Sequence, residues 1–272
     1  MKKNECLILC LCVFCLLISC EKTPVKKADF QLKTYKNEIL LLMDDESSSP
    51  KMEFNLTLLD TDPNTKYKFL TDHLYSGLSA DEYASSVFES WENLFLEYFQ
   101  SNESFYPESA SFQWEYSETM SYNLFDENSM VLKWDTYTYE GGAHGMPGRQ
   151  YYVFDLLESR ILHRKDFFRE GTDEQLYDIV YRRLLNYNNE KSWIFLKDEM
   201  PLSQGIFFDN KPAMTDNFFI NQDGFGLCWE PYEIAPYSEG FIEILLPWRQ
   251  IRPLLKHEIM EFLEKCGIWM FM

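Results

Sequence analysis

A chain of 272 residues, 46% hydrophobic and 17% aromatic, is long and apolar enough to bury a real core without disulfide or metal staples. Its formal charge of −19 argues against nucleic acid as a partner, because a phosphate backbone would repel it. On an exported surface the same charge would steer cationic proteins or divalent ions, or simply keep the chain soluble through self-repulsion.

Lys2 and Lys3 precede an apolar run from Cys6 to Ile18, the layout of a signal peptide. That run is shorter than the ~20 residues a helix needs to cross the hydrocarbon core. Leu17-Ile18-Ser19-Cys20 resembles a bacterial lipobox. The resemblance implies that residues 1–19 are removed as a lipoprotein signal peptide and that a diacylglycerol is placed on the Cys20 thiol. Two or three acyl chains anchor stably where one does not. The protein is therefore expected in the cell envelope, lipid-anchored outside the cytoplasm on the periplasmic face or the cell surface. Cys6, Cys10, Cys12 and Cys15 leave with the signal, so Cys228 and Cys266 remain beside Cys20. An exported compartment permits a disulfide between them, and two buried thiols are the alternative.

Residues 20–50 are expected to hold the lipidated N-terminus, a charged tether and a first strand at residues 39–43. An acidic, serine-rich loop follows. Met52, Phe54, Leu56 and Leu58 then alternate with Lys51, Glu53, Asn55 and Thr57, the period-two pattern of a half-buried strand that could pair with the first as a hairpin. Ser79 with Glu82 spells a capping box, and Tyr83, Val87, Trp91, Leu94, Phe95 and Tyr98 give the helix behind it an aromatic stripe. Strands are predicted at residues 112–119, 121–125, 130–138 and 150–155, as an antiparallel meander with turns at 126–129 and 141–148. Thr172 and Gln175 mark a second capping box, ahead of a helix buried through Leu176, Ile179, Val180, Leu184 and Tyr187. Short strands at 217–220, 227–230 and 241–246 precede a final amphipathic helix at 253–265, closed by Gly267. These elements predict an α+β fold of antiparallel sheets covered by helices, in two lobes: an N-terminal α+β lobe at 51–133 and a C-terminal α+β domain at 134–272.

His73, His144, His163 and His257 stand apart, with no HExxH, HxH or calcium-loop spacing, so no metal or other cofactor is expected. Nucleophile elbows, SxxK pairs and phosphate-binding glycine loops are missing too. The stretch with the look of chemistry is Tyr139-Glu140-Gly141-Gly142-Ala143-His144-Gly145. Its histidine is either a base served by Glu140 or Asp135, or a turn residue whose ring bonds a backbone carbonyl. Gly141, Gly142, Gly145 and Pro147-Gly148 demand the special torsions of a tight connection, which favours the turn. Pro231 and Pro236 fix the chain on either side of a short extended piece that orients Tyr232 and Tyr237.

The glycine-rich stretch, with Tyr151, Tyr152, Phe154, Asp155 and Leu156 behind it, is one half of a pattern whose other half is Trp229-Glu230-Pro231-Tyr232-Glu233-Ile234-Ala235-Pro236-Tyr237-Ser238-Glu239-Gly240. Together, over about residues 134–255, they resemble the family called domain of unknown function 3298. Its marks here are Gly141, Gly142, Ala143, His144, Pro231, Tyr232, Glu233, Ile234, Pro236, Tyr237 and Gly240. The preceding lobe looks like the smaller lobe of the polysaccharide-deacetylase-associated domain family. The resemblance implies an α+β fold and a non-catalytic binding module, because the same domain forms the extracellular, lysozyme-binding part of RsiV-type anti-sigma factors. Those proteins carry a transmembrane helix and a cytoplasmic sigma-binding segment where this chain has a lipoprotein signal, so sigma-factor signalling is not implied. The partners implied are a membrane, through Cys20, and a lysozyme-like cationic protein. The rival reading is an envelope glycan or peptidoglycan protein, either binding or hydrolysing through His144 and a nearby carboxylate.

Overall fold

The structure, a computed structural model, describes residues 30–41, 49–101, 113–126, 128–197 and 200–268. The segment expected to be a signal peptide, Cys20 and most of the acidic loop lie outside them. Strand β1 (Phe30–Leu40) pairs antiparallel with β2 (Lys51–Thr61), from Phe30 opposite Thr61 to Leu40 opposite Lys51, so the expected hairpin is present. The first strand begins well upstream of residue 39. It is an edge strand with Gln31, Lys36, Asn37 and Glu38 exposed, and so carries little apolar signal. In β2 the alternation is real: Met52, Phe54, Leu56 and Leu58 are all buried.

Helix α1 (Lys68–Leu74), which had no signal in the sequence, leads to α2 (Ala80–Ser101). Ser79 Oγ accepts the Glu82 amide at 3.2 Å, and the Glu82 carboxylate accepts the Ser79 amide at 2.8 Å, completing the capping box. The helix is buried along Ala84 and Phe95, about three turns apart, while Leu94 lies one position off that line and is exposed. Leu94 is therefore not part of the buried stripe. The crossover through α2 sets β3 (Gln113–Asp126) parallel to β2, from Lys51 opposite Gln113 to Thr57 opposite Thr119.

Strand β3 is one strand where two were predicted. Met120, at the predicted break, is buried, and its sulfur accepts the Leu59 amide at 3.3 Å. Strands β4 (Ser129–Tyr139), β5 (Met146–Asp155) and β6 (Arg160–Leu162) continue antiparallel, and the sheet order is β1-β2-β3-β4-β5-β6. The 133/134 boundary read from the sequence falls inside β4, because the sheet is continuous across it.

Beyond the short helix α3 (Arg164–Phe167), α4 (Asp173–Lys191) packs Leu176, Val180, Leu184 and Leu185 onto a second, antiparallel sheet of β7 (Phe218–Ile220), β8 (Gly224–Trp229) and β9 (Ile242–Pro247). The expected Thr172–Gln175 capping box does not form, because the Thr172 hydroxyl donates to the Arg169 carbonyl at 2.7 Å. A short helix α5 (Trp248–Ile251) precedes the terminal helix predicted at 253–265, whose first turn is instead a 3₁₀ turn holding Pro253 and whose remainder is α6 (His257–Lys265). Leu255 and Lys256 are extended between them, where the Lys256 amide donates to the Phe167 carbonyl at 2.9 Å and the Arg169 amide to that of Leu254 at 2.9 Å. Gly267, at φ 73°, ends α6 as expected.

Two large cores result. Phe167, Phe218, Phe225, Trp229 and Trp248 fill one with α4, and Leu56, Leu58, Leu70, Tyr75, Met120 and Phe154 fill the other. Cys228 and Cys266 are buried thiols and no disulfide joins them; each is taken up in its own packing, with the Cys266 thiol donating to Ser129 Oγ at 3.1 Å. Among the described residues no helix is long and apolar enough to cross a membrane.

Candidate functional site

The β4–β5 connection is shorter than the sequence indicates, since Pro147 and Gly148 already lie in β5. Pro147 fits there because β6 pairs only with residues 153–155, leaving this end of β5 open on one side. Gly141 and Gly142, at φ 87° and 98°, occupy the left-handed region that other residues avoid. At Gly145 a Cβ would lie 2.4 Å from the Tyr137 ring. The loop thus presses its backbone onto Tyr137 and turns His144 outward, where the residue is exposed.

His144 is one of the contacts between the two motif segments. Its Nδ1 lies 3.0 Å from the Gly145 carbonyl oxygen, which the Nδ1–H tautomer satisfies, and its ring stacks on Tyr237 with centroids 4.0 Å apart at 19°. The Tyr237 hydroxyl donates to the same carbonyl at 2.7 Å. Around Tyr237 the chain is a turn and not the expected extended piece. Pro231, Ile234 and Ala235 are buried beneath it, and Tyr232 is held at φ 70° with its ring 5.5 Å from that of Tyr237. A bulky residue pays about 1 kcal/mol or more for that backbone, and here it leaves Tyr232 50% exposed beside Tyr237.

Carboxylates join this surface to the sheets. Glu230 Oε1 accepts the Arg149 amide at 2.9 Å, and Glu233 Oε2 accepts the Glu230 amide at 2.9 Å. Partial burial of the Glu233 carboxyl, aided by the Glu230 charge and opposed by that amide, raises its pKa. The Arg149 side chain donates to Asp135 at 2.6 Å and to Glu243 at 3.0 Å, and lies 4.4 Å over the Phe241 ring. Burial works against the Asp135 charge, yet Arg149 and Lys133 outweigh it and hold that pKa below the ordinary range. Asp135 is thus committed to cations, and among the described residues neither it nor exposed Glu140 bonds to His144. The three candidates for chemistry are not brought together. At Cys228 burial and the neighbouring Glu243 charge push the thiol pKa up, which keeps it protonated and inert.

Behind this surface a cleft of about 500 Å³ separates the two sheets, lined among others by His73, Tyr152, His163, Asn217, Glu230 and Glu233. Burial, and to a lesser degree the neighbouring His163, lower the His73 pKa and so favour its neutral form. No cluster of metal-ligating side chains occurs among the described residues. Arg149 and Asn217 had no signal in the sequence as members of this seam.

The two-sheet α+β arrangement, with α4 on the smaller sheet and the two motif segments locked by a His–Tyr stack, defines the class of the protein. Residues 165–249 match the family model described as "Protein of unknown function (DUF3298)", and the chain carries a DUF3298 domain there. The matched range includes the Pro231–Gly240 segment and begins after the His144 loop. A crystal structure of a member of the DUF3298 family from Bacteroides fragilis is similar, with a TM-score of 0.69 at 18% identity, covering 84% of this chain and 94% of that one. A DUF3298 family protein from Pseudomonas aeruginosa is similar with a TM-score of 0.51 at 16% identity, covering 85% of this chain and 97% of that one. At such identities the likeness is one of fold. No curated protein matches the sequence.

An exposed stack with one local hydrogen bond stabilises only modestly. His144→Ala is therefore expected to fold and to lose about 1 kcal/mol or less in urea unfolding. Global unfolding of the variant would instead make His144 a core element.

Proposed function

We propose that this protein is an exported lipoprotein, anchored through Cys20, that acts as a binding module for a cationic envelope-active protein of the lysozyme type. The observation that carries the reading is the joint between the motif segments: His144, Tyr232 and Tyr237 form one pre-set aromatic surface, and the same two segments bear Glu140, Glu230, Glu233 and Glu239. Fixed rings lose little conformational freedom on binding. Surrounding acids, on a chain of formal charge −19, would raise the association rate with a basic partner more than the final affinity. The hydrolytic alternative gains nothing from the positions of Asp135 and Glu140.

The test is titration of purified lysozyme against a chain beginning at Glu21, which keeps every described residue. Binding is expected at low salt, weakening about tenfold or more as salt is raised from 50 to 500 mM, and weakening again in Tyr232→Ala and Tyr237→Ala. No association at low salt removes the reading, whereas salt-insensitive binding would replace steering by apolar contact.

A further inference from the structure

The C-terminal end of α4 is devoted to the display of apolar side chains. Trp193 is 97%, Ile194 50% and Phe195 73% exposed, in immediate succession, and Phe208 on the neighbouring loop is 50% exposed. Apolar surface gathered this way marks an interaction site more often than scattered exposure does.

The display is built, not loose. Asn188 is fully buried; its amide donates to the Ile194 carbonyl at 2.9 Å and accepts the Ile206 amide at 3.0 Å, tying both loops to the helix. Asn189 exchanges two bonds with Leu196, at 2.7 and 2.8 Å, and the Leu196 side chain is buried below the tip. Gly205 leaves room for this arrangement, since a Cβ there would lie 1.9 Å from Asn188 Oδ1. Buried Asn188 and half-buried Asn189 therefore hold the Trp193–Phe195 tip out in solvent.

We propose that residues 193–195 are a membrane-interface loop that enters the boundary between headgroups and acyl chains of a zwitterionic bilayer. Three consecutive apolar side chains on a projecting tip suit a fluid surface, and tryptophan and phenylalanine favour that depth. Lys191 and Lys197, both exposed, flank the tip in the chain, where their aliphatic stems can lie along the apolar layer with the ammonium groups at headgroup level. Exposed Glu190 and Asp209 adjoin the two loops, and the chain as a whole is acidic, so an anionic surface would repel it. That selects neutral headgroups. The lipid anchor proposed above would keep the loop near a bilayer, since residues 20–30 reach about 35 Å when extended, but partitioning of the loop does not depend on that anchor.

The experiment is co-sedimentation with phosphatidylcholine vesicles of a chain beginning at Glu21, read together with the blue shift of tryptophan emission. The wild-type chain is expected to partition, the Trp193→Ala/Phe195→Ala variant to partition about 30-fold or more weakly, and added phosphatidylglycerol to give no gain. Both side chains are exposed, so the variant should keep the wild-type urea midpoint; lysozyme binding, measured in parallel, should be unchanged. Failure of the wild-type chain to partition, or equal partitioning of the variant, overturns the proposal. If the substitutions abolish lysozyme binding and vesicles do not bind, the loop is a protein contact, and the binding-module reading survives without the membrane loop.

Discussion

Glu118→Ala is expected to destabilise the protein by about 3 kcal/mol or more and to loosen α2 from the large sheet. Glu118 is 1% exposed and has no cation among its bonded partners. Its carboxyl accepts from Tyr116 at 2.5 Å on its own strand, from Trp134 Nε1 at 2.8 Å on β4, and from Tyr83 at 3.1 Å on α2. Truncation strands three partly buried donors, each costing up to about 1–3 kcal/mol when left without an acceptor, and opens a small cavity. Glu118→Gln keeps one acceptor oxygen and should cost less, about 1–2 kcal/mol.

The two variants also differ from the wild type in pH dependence. Burial raises the Glu118 pKa, while the three donors oppose that shift without cancelling it. The native state therefore holds the proton at pH values where the unfolded chain has lost it. Wild-type stability from this group is fully present below the ordinary glutamate value and is lost as pH rises through the higher native one. Glutamine has no such loss, so the stability gap between wild type and Glu118→Gln should narrow as pH rises from about 4 toward 8. Urea unfolding at both pH values measures it, and a gap that stays constant would mean that the carboxyl titrates as if exposed.

Glu118 also shows what the sequence carried in a form easily passed over. Trp114, Tyr116, Glu118 and Met120 share one parity of β3, and an acid on that inward face is an anomaly that period-two reading can detect once the strand is known to be continuous. Local patterns were legible: the alternation of β2 and the Ser79–Glu82 cap need only near neighbours. Thr172 and Gln175 show the limit of the same pattern, because the Thr172 hydroxyl found a competing carbonyl at Arg169. The polar part of edge strand β1 upstream of Ile39, short helix α1 and the parallel β2–β3 pairing were illegible, since what holds them lies outside their own local pattern. The contact between Gly145 and Tyr237 spans 92 positions. It was anticipated only in that both segments belonged to one recognised pattern, and no periodicity in either segment indicated that they would touch.

Asn217→Ala is expected to cost about 2–4 kcal/mol and to weaken the seam between the sheets before it weakens either core. Where β5 runs beyond the reach of β6, its outer backbone groups have no strand to pair with, and Asn217 supplies the equivalent of one. Its Oδ1 accepts the Tyr151 amide at 2.9 Å, and its Nδ2 donates to the Arg149 carbonyl at 2.6 Å, so a side-chain amide completes a ladder rung. The residue is buried, and its own carbonyl accepts the Cys228 amide at 3.0 Å, fastening the rung to β8. Asn217→Asp separates this role from mere volume, because aspartate can accept from Tyr151 but cannot donate to Arg149 and brings a charge into the seam; it should cost at least as much as alanine. Amide exchange gives the decisive measurement. In both variants the Tyr151 amide should exchange faster than the amides of β2 and β8, whereas unchanged Tyr151 protection would show that the two sheets are held together by the Arg149–Glu243 pair and side-chain packing alone.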